Sequence, residues 1–321
     1  MYDRTRPPVL ARPGGRGTAM SKLVRSILAV LLVVLGCCSA ALADKRVALV
    51  VGNSAYTGVP ALANPANDAA DVSAKLSGLG FTVITGLDLD VAGFDQAVRR
   101  FSAAMEGADT ALFYYAGHGM QANDQNYLLP VDAKFDDVSS LKRQTVALGD
   151  VIGEMQARAG TVLVFLDACR DNPLADTLRA GGRSAGGGRG LARVDVVAKN
   201  TLVVFATGPG KIAQDGDSRN SPFTQAFLAN AGTPGVEIES MMKRVSAAVQ
   251  AATGGKQEPE RLSRLTSEFY FAPGQGTGPV SPPAPNPPAD PDAGAAEAFA
   301  AAKAVGTVAA LDAFIDRKSV V

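Results

Sequence analysis

The chain has 321 residues, 47% of them hydrophobic, with 31 basic and 31 acidic side chains and no tryptophan. That length holds one large domain with appendages or two of ordinary size. Balanced charge and the lack of a basic patch exclude a nucleic acid or an anionic membrane held by bulk electrostatics.

The first segment reads as a targeting signal. Met20 to Arg25 is a short basic stretch, Ile27 to Leu35 an uncharged apolar one, and Ala41-Leu42-Ala43 has the small-x-small pattern of a signal-peptidase site. Export to the periplasm or secretion is expected, with residues 1–43 as N-terminal extension and signal peptide. Two alternatives stand beside it: a retained anchor, short for a ~20-residue span, and lipidation at Cys37 after Val34-Leu35-Gly36. Met20 is a second candidate start. Cleavage after Ala43 removes Cys37 and Cys38 and leaves Cys169 as the sole thiol. An odd cysteine in an exported protein is a reactive thiol or a buried apolar residue.

From residue 44 to 272, apolar runs and helical spacings alternate. Arg46 to Val51 is β-rich and ends in Gly52-Asn53. Val72, Leu76 and Leu79 then make the buried face of a helix that begins near Asp68 and stops at Gly80. Phe81 to Thr85 reads as a strand, and Phe94, Val98, Phe101 and Met105 recur at helical spacing. A strand over Thr110 to Ala116 follows, then a short run from Tyr127 to Pro130, a helix over Leu148 to Met155 and a strand over Val162 to Asp167. After residues 172–200 the reading resumes with a strand at Thr201 to Ala206, helices at Pro222 to Asn230 and Glu237 to Ala252, and a last strand at Glu268 to Phe271. Continuous apolar runs mark strands covered on both faces. The expected fold is α/β, a three-layer sandwich around a mostly parallel sheet.

Residues 172–200 are rich in Gly and Arg, with Arg179, Arg183, Arg189 and Arg193, and read as a flexible loop. Residues 273–294 form a Pro-rich linker. Residues 295–321, with Phe299, Val308, Leu311, Phe314 and Ile315, read as a short helical segment.

The only imidazole, His118, lies 51 positions before Cys169, and each ends an apolar strand-like run. Open α/β sheets present reactive groups at such strand tips. A thiol with a pKa near ~8.5 needs a neighbouring imidazole to act as a nucleophile at neutral pH. His118 can supply that and later protonate a leaving amine. The N–H groups of Gly119 and Cys169 are the candidate oxyanion donors, each worth on the order of 2.7–4 kcal/mol in a transition state. Read singly, Cys169 is as well explained as buried filler and His118 as a structural hydrogen-bonder.

The stretch Asp167-Ala168-Cys169-Arg170, with a histidine about 50 residues upstream, resembles the caspase nucleophile motif. Tyr115-Ala116-Gly117-His118-Gly119 is similar to the family's histidine stretch. Val50-Val51-Gly52-Asn53 with Asn67-Asp68-Ala69 resembles the opening of metacaspase-like proteins. Ser221-Pro222-Phe223-Thr224 and Gly255-Lys256-Gln257-Glu258-Pro259 resemble the small-subunit segment of bacterial caspase-like proteins. The resemblance spans about residues 45–272 and implies a caspase-like (caspase-hemoglobinase) fold.

It further implies peptide hydrolysis through a Cys169 thioester, with His118 as acid and base. Caspases carry Gln where this chain has Asp167, and metacaspase-type members carry an acid there and another matching Asp68. Together these imply a substrate pocket for Arg or Lys. Alternatively, Asp68 serves a helix N-terminus and Asp167 opens a loop. Ala116 stands where metacaspase-type members have a serine that helps line the pocket. Many metacaspases need calcium, and Asp132, Asp136, Asp137, Asp150 and Asp176 are available acids, but they match no site and read as solvated loop acids, so no metal site and no cofactor are assigned. Protein or peptide substrates are the expected partners, with self-cleavage expected in the Gly/Arg loop. The competing reading is a catalytically idle caspase-fold module that binds partners through its Pro-rich and C-terminal segments.

Overall fold

The structure, a computed structural model, describes residues 44–122, 125–134, 141–169, 199–208, 211 and 213–274. The targeting segment before residue 44, the arginines of the Gly/Arg loop, Asp136, Asp137, Asp176, and the linker and helical segment beyond residue 274 lie outside the described residues. No described helix is long and apolar enough to cross a membrane.

Strands β1 (Arg46–Gly52), β2 (Phe81–Leu87), β3 (Ala108–Ala122), β6 (Ala159–Cys169), β7 (Thr201–Phe205) and β8 (Glu260–Ser263) form the main sheet in the order β2-β1-β3-β6-β7-β8. Every pair is parallel except β7–β8 at the edge. Two short strands, β4 (Gln125–Leu128) and β5 (Val146–Ala147), extend β3 in an antiparallel arm.

Successive residues of a strand face opposite sides, and both sides here are covered. Ala48, Val50, Tyr114 and Phe165 pack with α1 (Pro65–Gly78), α5 (Pro222–Asn230) and α6 (Ile238–Ala252) through Val72, Leu76, Phe227 and Val245. Val47, Leu49, Phe113 and Val164 pack with α2 (Val91–Ala104) and α4 (Leu148–Arg158) through Phe94, Phe101 and Met155. The three-layer α/β sandwich is therefore as the apolar runs indicate. A four-residue helix, α3 (Leu141–Gln144), precedes β5.

Two elements depart from the sequence reading. β3 does not stop at Ala116 but continues through His118 to pair with β4. The apolar run that delivers His118 is part of one extended strand, which has β4 as its neighbour from Gly119 onward. The last strand is Glu260–Ser263, not Glu268 to Phe271, which makes only the isolated bridge Glu237↔Tyr270. The alternation there reflects side-chain burial, with Phe269 and Phe271 in the core. Its carbonyls at Tyr270 and Phe271 are taken up by the Arg46 guanidinium at 3.1 Å each, in place of a neighbouring strand.

Candidate active site

From Thr110↔Thr161 the register of β3 with β6 runs without interruption to the pair His118↔Cys169. Paired residues on neighbouring strands lie about 4.8 Å apart, so the two backbones meet at the C-terminal edge of the sheet. Gly119 is the next residue on β3 and pairs with Leu128 of β4. Cys169 is the last residue of β6.

His118 is buried, and its setting is a short loop after β1. Its Nε2 lies 2.8 Å from the carbonyl oxygen of Pro60. A carbonyl only accepts, so Nε2 carries the proton and Nδ1 is the basic nitrogen of the neutral ring. Burial lowers the imidazole pKa from its ordinary value, against the opposing pull of the Pro60 carbonyl and of Asp215. Neutral imidazole is the resting form at neutral pH. The Tyr56 ring packs on it at 4.6 Å between centroids.

The loop that carries Tyr56 and Pro60 is itself pinned. Buried Asn53 donates to the Leu129 carbonyl and accepts from Leu89 N–H, each at 2.9 Å. Asp88, with φ +48, accepts from Ser54 and Ala55 N–H at 2.7 and 2.8 Å. Gly52 lets α1 approach β1: a Cβ there would stand 2.1 Å from the Pro65 carbonyl oxygen.

Beside His118 opens a pocket lined by Asp68, Gly117, Asp167, Asp215 and Ser221, with Leu62 among its apolar walls. Gly117 places β3 there, and three other parts of the chain join it. β6 supplies Asp167, opposite Ala116 in the β3 register. The first turn of α1 supplies Asp68, and the segment before α5 supplies Asp215 and Ser221. Ser221 caps α5, accepting from Thr224 N–H at 3.0 Å, and its hydroxyl donates to Asp167. Thr224 donates to the same carboxylate oxygen at 2.7 Å. Asp68 accepts from Ser221 N–H at 3.1 Å. Asp215 accepts from Ala63 N–H at 2.8 Å.

Burial is the main force on both inner acids. It pushes the Asp68 carboxyl up to about 8, with the nearby Asp167 charge adding to the rise and bonds from Asn220 and Ser221 opposing it. It pushes Asp167 to about 6, against the hydrogen bonds of Ser221 and Thr224. Two buried carboxylates side by side resist ionising together, and a cation between them would relieve that cost.

All five candidate residues, His118, Cys169, Gly119, Asp68 and Asp167, thus gather at one edge of the sheet. Tyr56, Pro60, Asp215, Ser221 and Gln257 were not singled out as site residues. Buried Gln257 accepts from Gln214 N–H and donates to the Ala206 carbonyl, each at 3.0 Å, which sets the chain just before Asp215. The motif strings around Ser221 and Gln257 were the available signal. Asp215 stands in a polar loop without one. Of the calcium candidates, Asp132 accepts from Val91 N–H at 3.0 Å at the start of α2, and Asp150 lies in the first turn of α4. No cluster of three or more metal-ligating side chains occurs among the described residues.

Comparison with known proteins agrees with this fold. The mucosa-associated lymphoid tissue lymphoma translocation protein 1 homolog of Mus musculus is 32% identical over 139 residues, 43% of this chain. Its Homo sapiens counterpart matches to the same extent. The aligned part is 16% of each relative's length. The crystal structure of caspase-1 from Spodoptera frugiperda superposes with a TM-score of 0.52 at 19% identity, covering 73% of this chain and 91% of that one, which shows the fold. The caspase-domain model of peptidase C14 matches residues 45–270. With that match across nearly all the described strands and helices, the chain belongs to the caspase-domain family, peptidase C14, whose general activity is cysteine proteolysis.

Proposed function

We propose that the protein is a cysteine endopeptidase that cuts after Arg or Lys, with Cys169 as nucleophile and His118 as general acid and base. The β3–β6 register, which sets the chain's one imidazole-bearing residue opposite Cys169, carries this reading. Neutral His118 takes the thiol proton at Nδ1, and the thiolate adds to the substrate carbonyl carbon. The oxyanion is held by the N–H groups of Gly119 and Cys169. The C–N bond then breaks as Nδ1–H protonates the leaving amine, and a thioester remains. Water, deprotonated by Nδ1, attacks that thioester and restores the thiol.

The pocket of Asp68, Asp167 and Asp215 supports a basic side chain at the cut site. A guanidinium or ammonium is stabilised by buried carboxylates, while an acidic or apolar side chain would leave them unpaired. Ser221 supplies a hydroxyl on Asp167, a role Ala116 cannot fill. Export with removal of residues 1–43 is part of the same proposal, and mass measurement of the mature N-terminus checks it.

The test is turnover of a fluorogenic Arg peptide by wild type, Cys169→Ala and His118→Ala, with Asp-terminated and Leu-terminated peptides alongside. Loss of at least 1,000-fold in kcat/KM for both variants is expected, given that dyad members act as a unit. Wild-type turnover by either variant, or faster cleavage after Asp, would overturn the reading. Wild-type protein inert to every peptide, with and without calcium, would favour an idle binding module.

A further inference from the structure

We infer that Tyr56 and Tyr115 are positioning residues that lock the backbone of His118 through a closed ring of three hydrogen bonds. The inference rests on His118 being the catalytic acid and base. His118 N–H donates to the Tyr56 hydroxyl oxygen at 2.8 Å. The Tyr115 hydroxyl lies 2.7 Å from the His118 carbonyl oxygen, and the two phenol oxygens are 3.2 Å apart.

The directions follow from what each group can do. An amide N–H only donates and a carbonyl only accepts. Tyr115 therefore gives its one proton to the His118 carbonyl, where the contact is shortest; the Leu129 carbonyl at 3.2 Å is a weaker second acceptor. The Tyr115 oxygen is left to accept, so Tyr56 donates across the 3.2 Å contact. The circuit runs from His118 N–H to Tyr56, from Tyr56 to Tyr115, and from Tyr115 back to His118 C=O. Donors and acceptors aligned head to tail in a buried site polarise one another.

The ring answers a specific problem. At His118 the strand leaves one partner and takes up another, and Leu129 N–H donates to the His118 carbonyl at 3.1 Å. Its N–H has no strand partner on that side, and Tyr56 supplies one. Gly117 makes room: it holds φ +151, and a Cβ there would stand 2.5 Å from the Tyr56 oxygen and 2.8 Å from the Tyr115 oxygen. The Tyr56 ring also packs on the imidazole in a tilted contact, 56° between planes, so one side chain touches both the ring and the main chain of the same residue.

The experiment uses the full chain without a polyhistidine tag, so that His118 gives the sole imidazole signal in NMR. Tyr56→Phe, Tyr115→Phe and the double variant keep the aromatic bulk and delete only the hydroxyls. Each single change is expected to lower kcat on the Arg peptide ten- to hundred-fold with KM within two-fold, and to speed His118 amide exchange at least ten-fold. A ring is broken by removal of either member, so the double variant is expected to lose no more than two-fold beyond the worse single.

Unchanged His118 exchange in either single variant, or losses that multiply in the double, would overturn the ring. Should a variant fail to fold, the wild-type protein decides alone: slowly exchanging hydroxyl protons on both tyrosines support the ring, and fast exchange of both refutes it. Full turnover by Cys169→Ala and His118→Ala would overturn the catalytic reading, while the exchange data still judge the ring.

Discussion

At the scale of single residues, the site works by placing ionisable groups where their charged forms are costly. Neutral His118 follows from burial, and so do the raised pKa values of Asp68 and Asp167. Between the ordinary carboxylate value and about 8, the folded chain binds more protons than the unfolded one. These two acids therefore make stability fall as pH rises through that window. A basic side chain in the pocket has the opposite effect, because it favours the ionised pair. KM for an Arg peptide should accordingly fall as pH rises from about 6 to about 8, with proton release on binding. Steady-state kinetics across that range and calorimetry in buffers of different ionisation enthalpy measure both, and Asp68→Asn should flatten the KM profile. A KM that is flat in wild type would separate the acids from substrate binding. Asp68 also illustrates what sequence can miss. It does lie in the first turn of α1, as a helix-dipole residue would, but its carboxylate is buried against the N-terminus of α5 and faces a second acid.

Among the elements, α5 joins the pocket to the core. Ser221 caps the helix and donates to Asp167, while Phe223 and Phe227 sink into the sheet face. Ser221→Ala should cost about 1 kcal/mol of stability for the lost cap and push Asp167 further up by removing a donor. KM for the Arg peptide should rise more than kcat falls, as seen in denaturant unfolding and kinetics at pH 7. A lower kcat at constant KM would place Ser221 outside substrate binding. The preceding segment is tied to α1 by Arg219, which makes two bonds to Asp71 at 2.8 and 2.9 Å. With Arg219 61% exposed, that pair is screened and adds little stability; what it fixes is the position of the chain next to Asp215. The helix expected over Pro222 to Asn230 matches the structure. Its serine cap as a bond to a carboxylate 54 residues away was not legible, because no local pattern records a partner so distant in the chain.

For the whole molecule, the sheet sets the site at one end and closes the core at the other. Arg46, at the start of β1, donates to two carbonyls of the 268–271 segment. Its guanidinium also lies 5.8 Å from the Phe81 ring centroid and 5.3 Å from that of Phe269. Arg46→Ala should cost about 2 kcal/mol, through lost charge-assisted bonds and cation–π contact. A lower denaturation midpoint with unchanged KM would be the signature, whereas an altered KM would mean the strap reaches the active site. Sequence alone determined the three-layer α/β fold, because buried parallel strands must be apolar throughout and covering helices must repeat their apolar face. It also named His118 and Cys169 by scarcity, and Asp68 and Asp167 by resemblance. Tertiary structure decided the rest: the continuation of β3 past the end of β1 to pair with β4, the strand at Glu260–Ser263, the Pro60 carbonyl on the imidazole, and the third acid, Asp215. Each of these depends on groups brought together across the sheet, and backbone carbonyls and loop acids carry no periodicity by which a sequence could mark them.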